Sequence, residues 1–403
     1  MQPTSLTECG LVEPPRAPSP PVPFFTQVES FERIWPEVRR HLTEVAGSGK
    51  FSHGQKVAEF ERALAAYTGA RHAVAVNSGT DALVLLLRAA GLRPGDEVVV
   101  PAFTFVASAS SVVLAGGRPV FADIDPVSYA LDPESVAAAI TPRTRFVMPV
   151  HLFCQMADMD ALAGVAADHG LTIVEDSAEA IGMRWNGKHA GLLGAGGVLS
   201  FFPTKTLGAL GDAGAVLTDD DRIAETVGAL RHHGRFGPTL GDFRRISTET
   251  TQAGQNSKAD DIQAAVLLAK LDRLDADIAR RAELAAAYTE RLATVPGILR
   301  LPTVVARTSA TNPVYYVYLI EVRHRDALAA FLAQRGIGTE TYYPVPLHRQ
   351  PCFAQLGYDE GDFPHAEAAC RRTLALPFHP DLTMDQVDHV CETIRAFAQE
   401  EAA

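Results

Sequence analysis

The stretch Ser200-Phe201-Phe202-Pro203-Thr204-Lys205-Thr206-Leu207-Gly208-Ala209-Leu210-Gly211-Asp212 follows the short apolar run Val198–Leu199 and holds one lysine among mostly apolar and small residues. A lysine in such company is either a surface residue whose stem packs on apolar neighbours or a desolvated amine kept for chemistry. Desolvation lowers the pKa of an amine and leaves a nucleophile that can form a Schiff base with a carbonyl. Surface lysines are the commoner case, so the rest of the chain must decide between the two interpretations.

The composition predicts a folded protein of more than one domain. The chain has 403 residues, 47% of them hydrophobic, and a formal net charge of −12. Such a length and hydropathy are typical of a soluble globular protein with two or three domain-sized units. An acidic balance argues against a nucleic-acid partner. A membrane partner is not expected either, because the most apolar run, Ala82–Leu87, ends at Arg88 and is too short to cross a bilayer.

The cysteines indicate a reducing compartment. The five cysteines lie at positions 9, 154, 352, 370 and 391 without any Cys-x-x-Cys pair, which favours reduced thiols over a disulfide or zinc framework. The N-terminal residues are rich in proline and lack the apolar core of a signal peptide. The sequence therefore predicts a cytoplasmic protein without a metal site.

Short apolar runs alternate with helical stretches from His72 onward. This alternation is the signature of β-α units and of a largely parallel sheet buried on both faces. Ligands of such sheets bind beyond the strand ends, so loop residues just after strands are candidates for a site. The predicted strands are 73–76, 98–100, 119–122, 146–150, 171–174, 198–202 and 215–217, and the predicted helices are 31–45, 57–67, 82–90, 106–114, 133–139, 159–168 and 223–230.

The pattern changes towards both ends of the chain. Residues 1–22 are interpreted as a flexible proline-rich tail, and residues 231–257 as an unusually long loop. Residues 260–293 are expected to form one long amphipathic helix. The prediction is an α/β protein with a large domain at 23–257, and with the long connecting helix and a smaller α+β domain at 258–403. Within that smaller domain we expect a strand at 314–322 and helices at 325–334 and 384–398.

Two further loops carry reactive residue types after predicted strands. Asn77-Ser78-Gly79-Thr80-Asp81 precedes a helix, where free amides and the helix dipole can bind an anion, although an ordinary helix cap is the commoner role. Glu175-Asp176-Ser177-Ala178-Glu179 follows the strand at 171–174. Acids at the end of a buried strand are costly unless they are paired or hydrogen-bonded. A helix cap and a carboxylate facing a cationic partner are about equal alternatives for this loop.

Together the three loops contain the groups that pyridoxal phosphate requires. The lysine would form a Schiff base with the cofactor, and a carboxylate would keep the pyridine nitrogen protonated, so that the ring accepts electrons from a carbanion. A helix N-terminus and a serine hydroxyl would hold the phosphate.

The chain resembles the DegT/StrS family of pyridoxal-phosphate sugar aminotransferases, which have the aspartate-aminotransferase fold of type I. Seven motifs occur in the family's order, and this makes the resemblance specific after about residue 22. The motifs are NSGTDAL (77–83), GDEVVVPAFTFVASA (95–109), HLFCQMADMDAL (151–162), VEDSAEAIG (174–182), SFFPTKTLGALGDAGAV (200–216), NSKADDIQAAVL (256–267) and YYPVPLHRQPCF (342–353).

The resemblance implies a role for each matching residue. Lys205 would be the Schiff-base lysine and proton carrier, and Asp176 would pair with the pyridine nitrogen. Phe105 would stack on the ring, although a phenylalanine taken alone is more often plain core. The phosphate would be bound by Ser78, Gly79, Thr80 and Ser200, and in the partner subunit by Asn256; Glu179 would lie next to the phenolic oxygen, and Tyr343 and His348 near the sugar.

Two positions depart from the family pattern. Glu179 stands where the family often has glutamine, and a carboxylate there should be protonated or contact the substrate, because two anions at one oxygen repel. Thr206 stands where asparagine is frequent. Some relatives replace the lysine with histidine and become sugar dehydratases, and Lys205 argues against that branch.

The resemblance implies an aminotransferase that forms an amino sugar from a nucleotide-linked keto-deoxysugar. The nucleotide is expected to be dTDP, the amino donor L-glutamate, C4 slightly favoured over C3, the product a part of antibiotic biosynthesis, and the working unit a homodimer with shared active sites. One alternative is an enzyme of the same fold that acts on a cyclitol or an aminohydroxybenzoate precursor. Another is a catalytically silent cofactor-binding regulator, which the presence of both Lys205 and Asp176 disfavours.

Overall fold

The structure, a computed structural model, describes residues 21–236, 250 and 252–402. All but the last two residues of the predicted tail (1–22), and the middle of the predicted loop (231–257), lie outside the described residues. None of the helices in the described part of the chain is both long and apolar enough to cross a membrane.

A seven-stranded sheet forms the centre of the large N-terminal part. Its strand order is β1-β9-β8-β5-β4-β2-β3, and all neighbouring strands run parallel except β9, which is antiparallel to both β1 and β8. The predicted α/β fold with a mostly parallel seven-stranded sheet is therefore confirmed. The strands are β1 (His72–Val76), β2 (Glu97–Pro101), β3 (Arg118–Ala122), β4 (Thr144–Val147), β5 (Thr172–Asp176), β8 (Gly196–Ser200) and β9 (Gly214–Thr218), and the small hairpin β6 (Arg184–Trp185) and β7 (Lys188–His189) lies between β5 and β8.

Helices cover both faces of this sheet, because its strands are apolar on both sides. In β1, for example, Val74 and Val76 pack into the cluster that contains α3, whereas Ala73 and Ala75 pack against Phe60 and Leu64 of α2. Alternate residues of a strand point to opposite faces, so a continuous apolar run is what a sheet covered on both faces requires. The helices of this part are α1 (Val28–Ser48), α2 (Gln55–Thr68), α3 (Gly79–Ala89), α4 (Ala107–Leu114), α5 (Pro133–Ala139), α6 (Met159–His169) and α7 (Asp221–Leu230).

The C-terminal part forms a smaller α+β unit around an antiparallel sheet with the order β10-β11-β12. Its core also takes in Val22, whose backbone pairs with Gly336 and Gly338. The division of the chain into domains at 22/23 and 257/258 remains a prediction. The elements are α8 (Asp261–Leu271), α9 (Leu274–Leu292), β10 (Ile298–Arg300), β11 (Tyr318–Val322), α10 (Arg325–Gln334), α11 (Pro364–Arg372), β12 (Thr373–Leu376) and α12 (Met384–Ala402).

Two predicted elements of this part are wrong in extent. The single helix predicted over 260–293 is broken between α8 and α9, where the amide of Arg273 bonds to the carbonyl of Lys270 and tightens the last turn. The strand predicted over 314–322 begins only at Tyr318, because the amides of Val314 and Tyr316 donate to the loop at Cys154 and Phe153 and not to the sheet. Because this strand begins later than predicted, Tyr316 lies outside the sheet and lines the cavity described below.

The carboxylate of Asp261 joins the start of α8 to the start of α2. It is 1% exposed and accepts hydrogen bonds from the amides of Gly54 at 2.5 Å, Lys56 at 2.8 Å and Val57 at 3.3 Å. These amides belong to the first turn of a helix, where they have no partner within the helix. One side chain thus fixes α8, at the start of the C-terminal part, against α2 of the large N-terminal part.

We expect Asp261→Ala to lower the free energy of unfolding by about 1–3 kcal/mol, because it leaves buried amides without an acceptor. Urea unfolding followed by circular dichroism measures the loss. Asp260→Ala is the matched control: its side chain is exposed and caps no helix amide, so its effect should stay within about 0.5 kcal/mol. Equal losses in the two variants would contradict the capping role.

Candidate active site

The loops that follow the strands meet around a cavity of about 380 Å³. In a parallel sheet the carboxyl ends of the strands lie at one edge, which is where ligands bind. Residues from the C-terminal part close the cavity on the other side. The lining includes the predicted site residues Ser78, Gly79, Thr80, Phe105, Asp176, Glu179, Ser200, Lys205 and Tyr343, and it also includes Thr104, Phe202, Thr204, Asp212, Tyr316 and Tyr342.

The N-terminus of α3 and the end of β8 touch each other at the floor of the cavity. The hydroxyl of Ser78 accepts a hydrogen bond from the amide of Asp81 at 3.1 Å, so Ser78 is an ordinary helix cap. The amides of Gly79 and Thr80 belong to the first turn of α3 and have no partner within the helix. A Cβ on Gly79 would lie 2.9 Å from Cβ of Ser200, so the glycine lets the Ser200 hydroxyl approach those amides. This donor set fits a phosphate group.

The two acids at the end of β5 point to opposite sides of the sheet. Asp176 lines the cavity and is 4% exposed; it accepts hydrogen bonds from Ser108 Oγ at 2.7 Å and from the amide of Ala178 at 3.2 Å. Glu175 is fully buried and accepts hydrogen bonds from His151 Nε2 at 3.0 Å and from the amides of Gly191, Leu193 and Gly194. Asp176 is therefore the carboxylate available to a ligand, and Glu175 holds a loop.

Lys205 lies in a largely buried position, with its side chain 16% exposed. Its Nζ donates to Glu179 Oε1 at 3.1 Å and lies 4.2 Å from the centre of the Tyr316 ring. Burial opposes the charged form, but Glu179, Tyr316 and Asp176 outweigh it and raise the pKa of the amine. Burial lowers the pKa of this amine, as the sequence suggests, but the net shift is upward, because Glu179 is the partner of Lys205 and the sequence did not show that pairing.

Aromatic side chains form one wall of the cavity. Phe105 is 57% exposed at the cavity, which excludes the plain-core interpretation, and its ring centre lies 6.2 Å from that of Tyr343. Burial and the nearby Glu179 raise the pKa of Tyr343 well above its ordinary value, so its hydroxyl stays protonated. The sequence-based prediction missed Tyr316 and Tyr342. The only available signal was the local density of tyrosines at 315–318 and 342–343, which is common in buried cores.

Two predicted site residues lie elsewhere. His348 is buried outside the cavity: its Nε2 is 3.1 Å from Glu367 Oε1 and its ring packs on Phe363. We therefore correct its assignment to the sugar site, because none of its side chain is exposed to a ligand. Asn256 is exposed, receives a hydrogen bond from Lys258 and does not line the cavity of its own chain. Its role in the partner's site remains a prediction.

The arrangement can hold pyridoxal phosphate. Lys205 provides the amine, Asp176 a buried and hydrogen-bonded carboxylate, and the start of α3 with Ser200 a phosphate cradle. No group of three or more His, Cys, Asp and Glu side chains in the described part of the chain could hold a metal ion. Fold and site together define the class of pyridoxal-phosphate-dependent transferases of fold type I.

Comparisons with known proteins identify the family. Residues 33–395 match the DegT/DnrJ/EryC1/StrS aminotransferase family. The chain is 44% identical to the pleiotropic regulatory protein of Geobacillus stearothermophilus, over 93% of this chain and 98% of that protein. It is 42% identical to the dTDP-3-amino-3,4,6-trideoxy-α-D-glucose transaminase of Streptomyces venezuelae, over 95% and 98% of the two chains.

A solved structure shows the same likeness. The crystal structure of Streptomyces venezuelae DesV in complex with a ketimine intermediate is 41% identical and matches with a TM-score of 0.88, over 94% of this chain and 99% of that one. The chain therefore belongs to the DegT/DnrJ/EryC1/StrS family and is a pyridoxal-phosphate-dependent aminotransferase. The predicted resemblance, enzyme class and cofactor are confirmed.

The ion pair between Glu179 and Lys205 should slow the loading of the cofactor. Only the neutral amine attacks a carbonyl, and an adjacent carboxylate shifts the pKa of an amine by roughly a unit or more. We expect cofactor-free Glu179→Gln to react with pyridoxal phosphate on the order of tenfold faster at pH 8. In both proteins the rate should rise with pH, because the raised pKa of Lys205 keeps most of the amine charged.

Stopped-flow absorbance of the lysine adduct gives the rate. Asp212→Asn is the control, because Asp212 lines the same cavity and is not among the groups that shift the pKa of Lys205. A Glu179→Gln rate at or below that of the unmodified protein would contradict this account of the ion pair.

Proposed function

We propose that the enzyme transfers an amino group from L-glutamate to a dTDP-linked keto-deoxysugar. The observation that carries the proposal is the placement of Lys205, whose amine lies in the cavity between Glu179 and Tyr316, together with Asp176 and the start of α3. The name of the Streptomyces venezuelae relative supports the substrate class, since that protein is a transaminase of a dTDP-linked amino sugar.

Several residues of the cavity have a defined task in this proposal. Bound pyridoxal phosphate supplies a ring that withdraws electrons from the carbon next to the transferred nitrogen. Lys205 would anchor the cofactor through its amine and, when released, carry a proton between two carbon atoms. Asp176, fixed by Ser108, would accept a hydrogen bond from the ring nitrogen. The amides of Gly79 and Thr80 and the hydroxyl of Ser200 would hold the phosphate, and Phe105 would cover the ring.

The carbon atom of the sugar that receives the amine is either C3 or C4. The sequence-based prediction slightly favours C4, whereas the name of the Streptomyces venezuelae relative specifies a 3-amino product. At 42% identity that relative is the stronger guide, and we propose C3.

A cofactor-binding regulator without turnover, a role suggested by the name of the Geobacillus relative, pleiotropic regulatory protein, is disfavoured. A protein that only binds the cofactor needs no carboxylate opposite the ring nitrogen, yet Asp176 is present, buried and hydrogen-bonded. We therefore place the enzyme first. A cytoplasmic location is part of the proposal, and the four described cysteines, all of them free, are consistent with it.

The test is a screen of dTDP-linked 3-keto and 4-keto sugars with L-glutamate, read by mass spectrometry, with NMR to locate the amine. A keto cyclitol or an aminohydroxybenzoate precursor in the same screen tests the other substrate class. Lys205→Ala should lose turnover, and Asp176→Asn should bind cofactor but turn over about 10²–10⁴-fold more slowly. Turnover with none of the substrates would contradict the proposed substrate class, and near-normal turnover of Asp176→Asn would remove Asp176 from the mechanism.

We further propose a homodimer in which Asn256 of one protomer reaches the phosphate site of its partner. Asn256 is exposed at the end of the long loop and does not line its own cavity. The exposed apolar side chains of Phe51, Leu210 and Ile262 lie around the start of α8, and contiguous exposed apolar surface commonly marks an interface. A two-fold axis would repeat the contact at both sites.

Mixing two inactive variants tests the shared site. Lys205→Ala and Asn256→Ala chains should each be impaired alone, whereas a mixed dimer has one site that carries both lesions and one intact site. Activity should therefore return in part after the two proteins are mixed under conditions that exchange subunits. Each protein exchanged with itself is the control. If each chain built its site alone, no activity would return.

A further inference from the structure

Tyr316 belongs to the C-terminal part of the chain, yet it forms one wall around the amine of Lys205. Its ring is 4% exposed, and the ring centre lies 4.2 Å from Lys205 Nζ. Its hydroxyl shares hydrogen bonds with Thr204 Oγ1 at 3.2 Å and with the hydroxyl of Tyr342 at 3.5 Å. The side chain thus contacts both Lys205 and the residue before it.

The backbone of Tyr316 is fixed from two directions. Its amide donates to the carbonyl of Phe153 at 2.7 Å, and its carbonyl accepts a hydrogen bond from Nη1 of the buried Arg281 at 2.9 Å. These two hydrogen bonds fix the backbone that carries the ring, and the burial of the side chain limits its rotation away from Lys205.

Phe153 links the two groups that surround the amine. Its carbonyl holds Tyr316, and its amide donates to Glu179 Oε2 at 3.2 Å. Phe153 has a φ of 62°, which is uncommon for a bulky residue and costs free energy. Such strain persists where the surrounding structure imposes it, often at functional sites, and here it directs the two polar groups of one residue to Glu179 and Tyr316.

We propose that Tyr316 is a positioning residue, whose π face and Glu179 together hold the amine of Lys205 in one place whenever the lysine is not covalently bound. The inference rests on the proposed aminotransferase function. A lysine side chain is long and flexible, and a single ion pair leaves it free to swing about one contact. An aromatic face attracts an ammonium group from a second direction, more strongly in a buried site. The burial of the side chain and the two backbone hydrogen bonds, which do not depend on the hydroxyl, keep the face beside the lysine.

A core tyrosine that only filled space would give a different response to substitution. Tyr316→Phe keeps the ring and removes the hydroxyl, whereas Tyr316→Leu removes the π face. Tyr315→Leu is the matched control, because Tyr315 is the neighbour in sequence, packs on Phe378 and does not line the cavity.

The first readout uses the cofactor-free protein. The rate at which an amine-directed reagent labels Lys205 is measured against pH, with mass spectrometry to locate the label. Loss of the π face should move the titration to lower pH and raise labelling at pH 8 by on the order of tenfold in Tyr316→Leu. Tyr316→Phe and Tyr315→Leu should titrate like the unmodified protein. This readout does not depend on the identity of the substrate.

The second readout is a single turnover of the loaded enzyme with L-glutamate. Tyr316→Leu should be slower by roughly ten- to a hundredfold, as expected when a reacting group is misplaced, while the concentration of glutamate that gives half the maximal rate stays within about twofold. A loss of glutamate binding alone would indicate a structural or substrate-binding role and would overturn the proposal.

Unchanged labelling and unchanged single-turnover rates in a folded Tyr316→Leu protein would also overturn it. If Tyr316→Leu does not fold, Tyr316→Phe decides. A role of the ring predicts that the titration of Lys205 is the same in Tyr316→Phe as in the unmodified protein. A shifted titration of Lys205 in Tyr316→Phe would show that the ring is not the cause. If glutamate and every other donor fail with the unmodified enzyme, the proposed function fails, and the labelling experiment still decides on Tyr316.

Discussion

An ammonium group removed from water is stable only beside negative charge or hydrogen-bond acceptors, and Lys205 meets this requirement mainly through Glu179 at 3.1 Å. Glu179 in turn is held by the amide of Phe153. Asp176 adds its charge from the end of β5, and Tyr316 adds a π face from the C-terminal part. Glu179, Asp176 and Tyr316, all of which line the cavity, thus stabilise one buried charge together.

The parallel sheet makes this convergence possible. Side chains at the end of a strand alternate between the two faces, so Glu175 and Asp176, though adjacent in sequence, take separate tasks. Glu175 receives three backbone amides and His151 and fixes the loop before β8. That strand ends at Ser200, from which the chain proceeds directly to Lys205. Glu175 thus has a structural role on the face of the sheet away from the cavity, and Asp176 faces the cavity.

The sequence predicts those features that depend on neighbours along the chain. The seven strands follow from short apolar runs such as 98–100, and Lys205, Asp176 and the start of α3 follow from their places after strands. Contacts between distant segments do not appear in any local pattern: Tyr316 meets Thr204 across 112 positions. The break at Asp272 and Arg273 was equally hidden, because neither glycine nor proline marks it. The assignment of His348 to the sugar site is wrong because the motif at 342–353 does not show which of its side chains point into the core.

The carboxylate of Glu179 needs a cationic partner both before and after Lys205 binds the cofactor. Without cofactor, Glu179 and the amine of Lys205 compensate each other. If Lys205 held the cofactor through its amine, Glu179 would lose the ammonium as its ion-pair partner, and a buried carboxylate without compensation is costly. Glu179 would then favour another cation, and the ammonium of an amino donor is the cation that the proposed reaction brings into the cavity. A glutamine at this position would carry no charge to attract that ammonium, so we expect Glu179 to contribute to the binding of the donor as well as to the placement of Lys205.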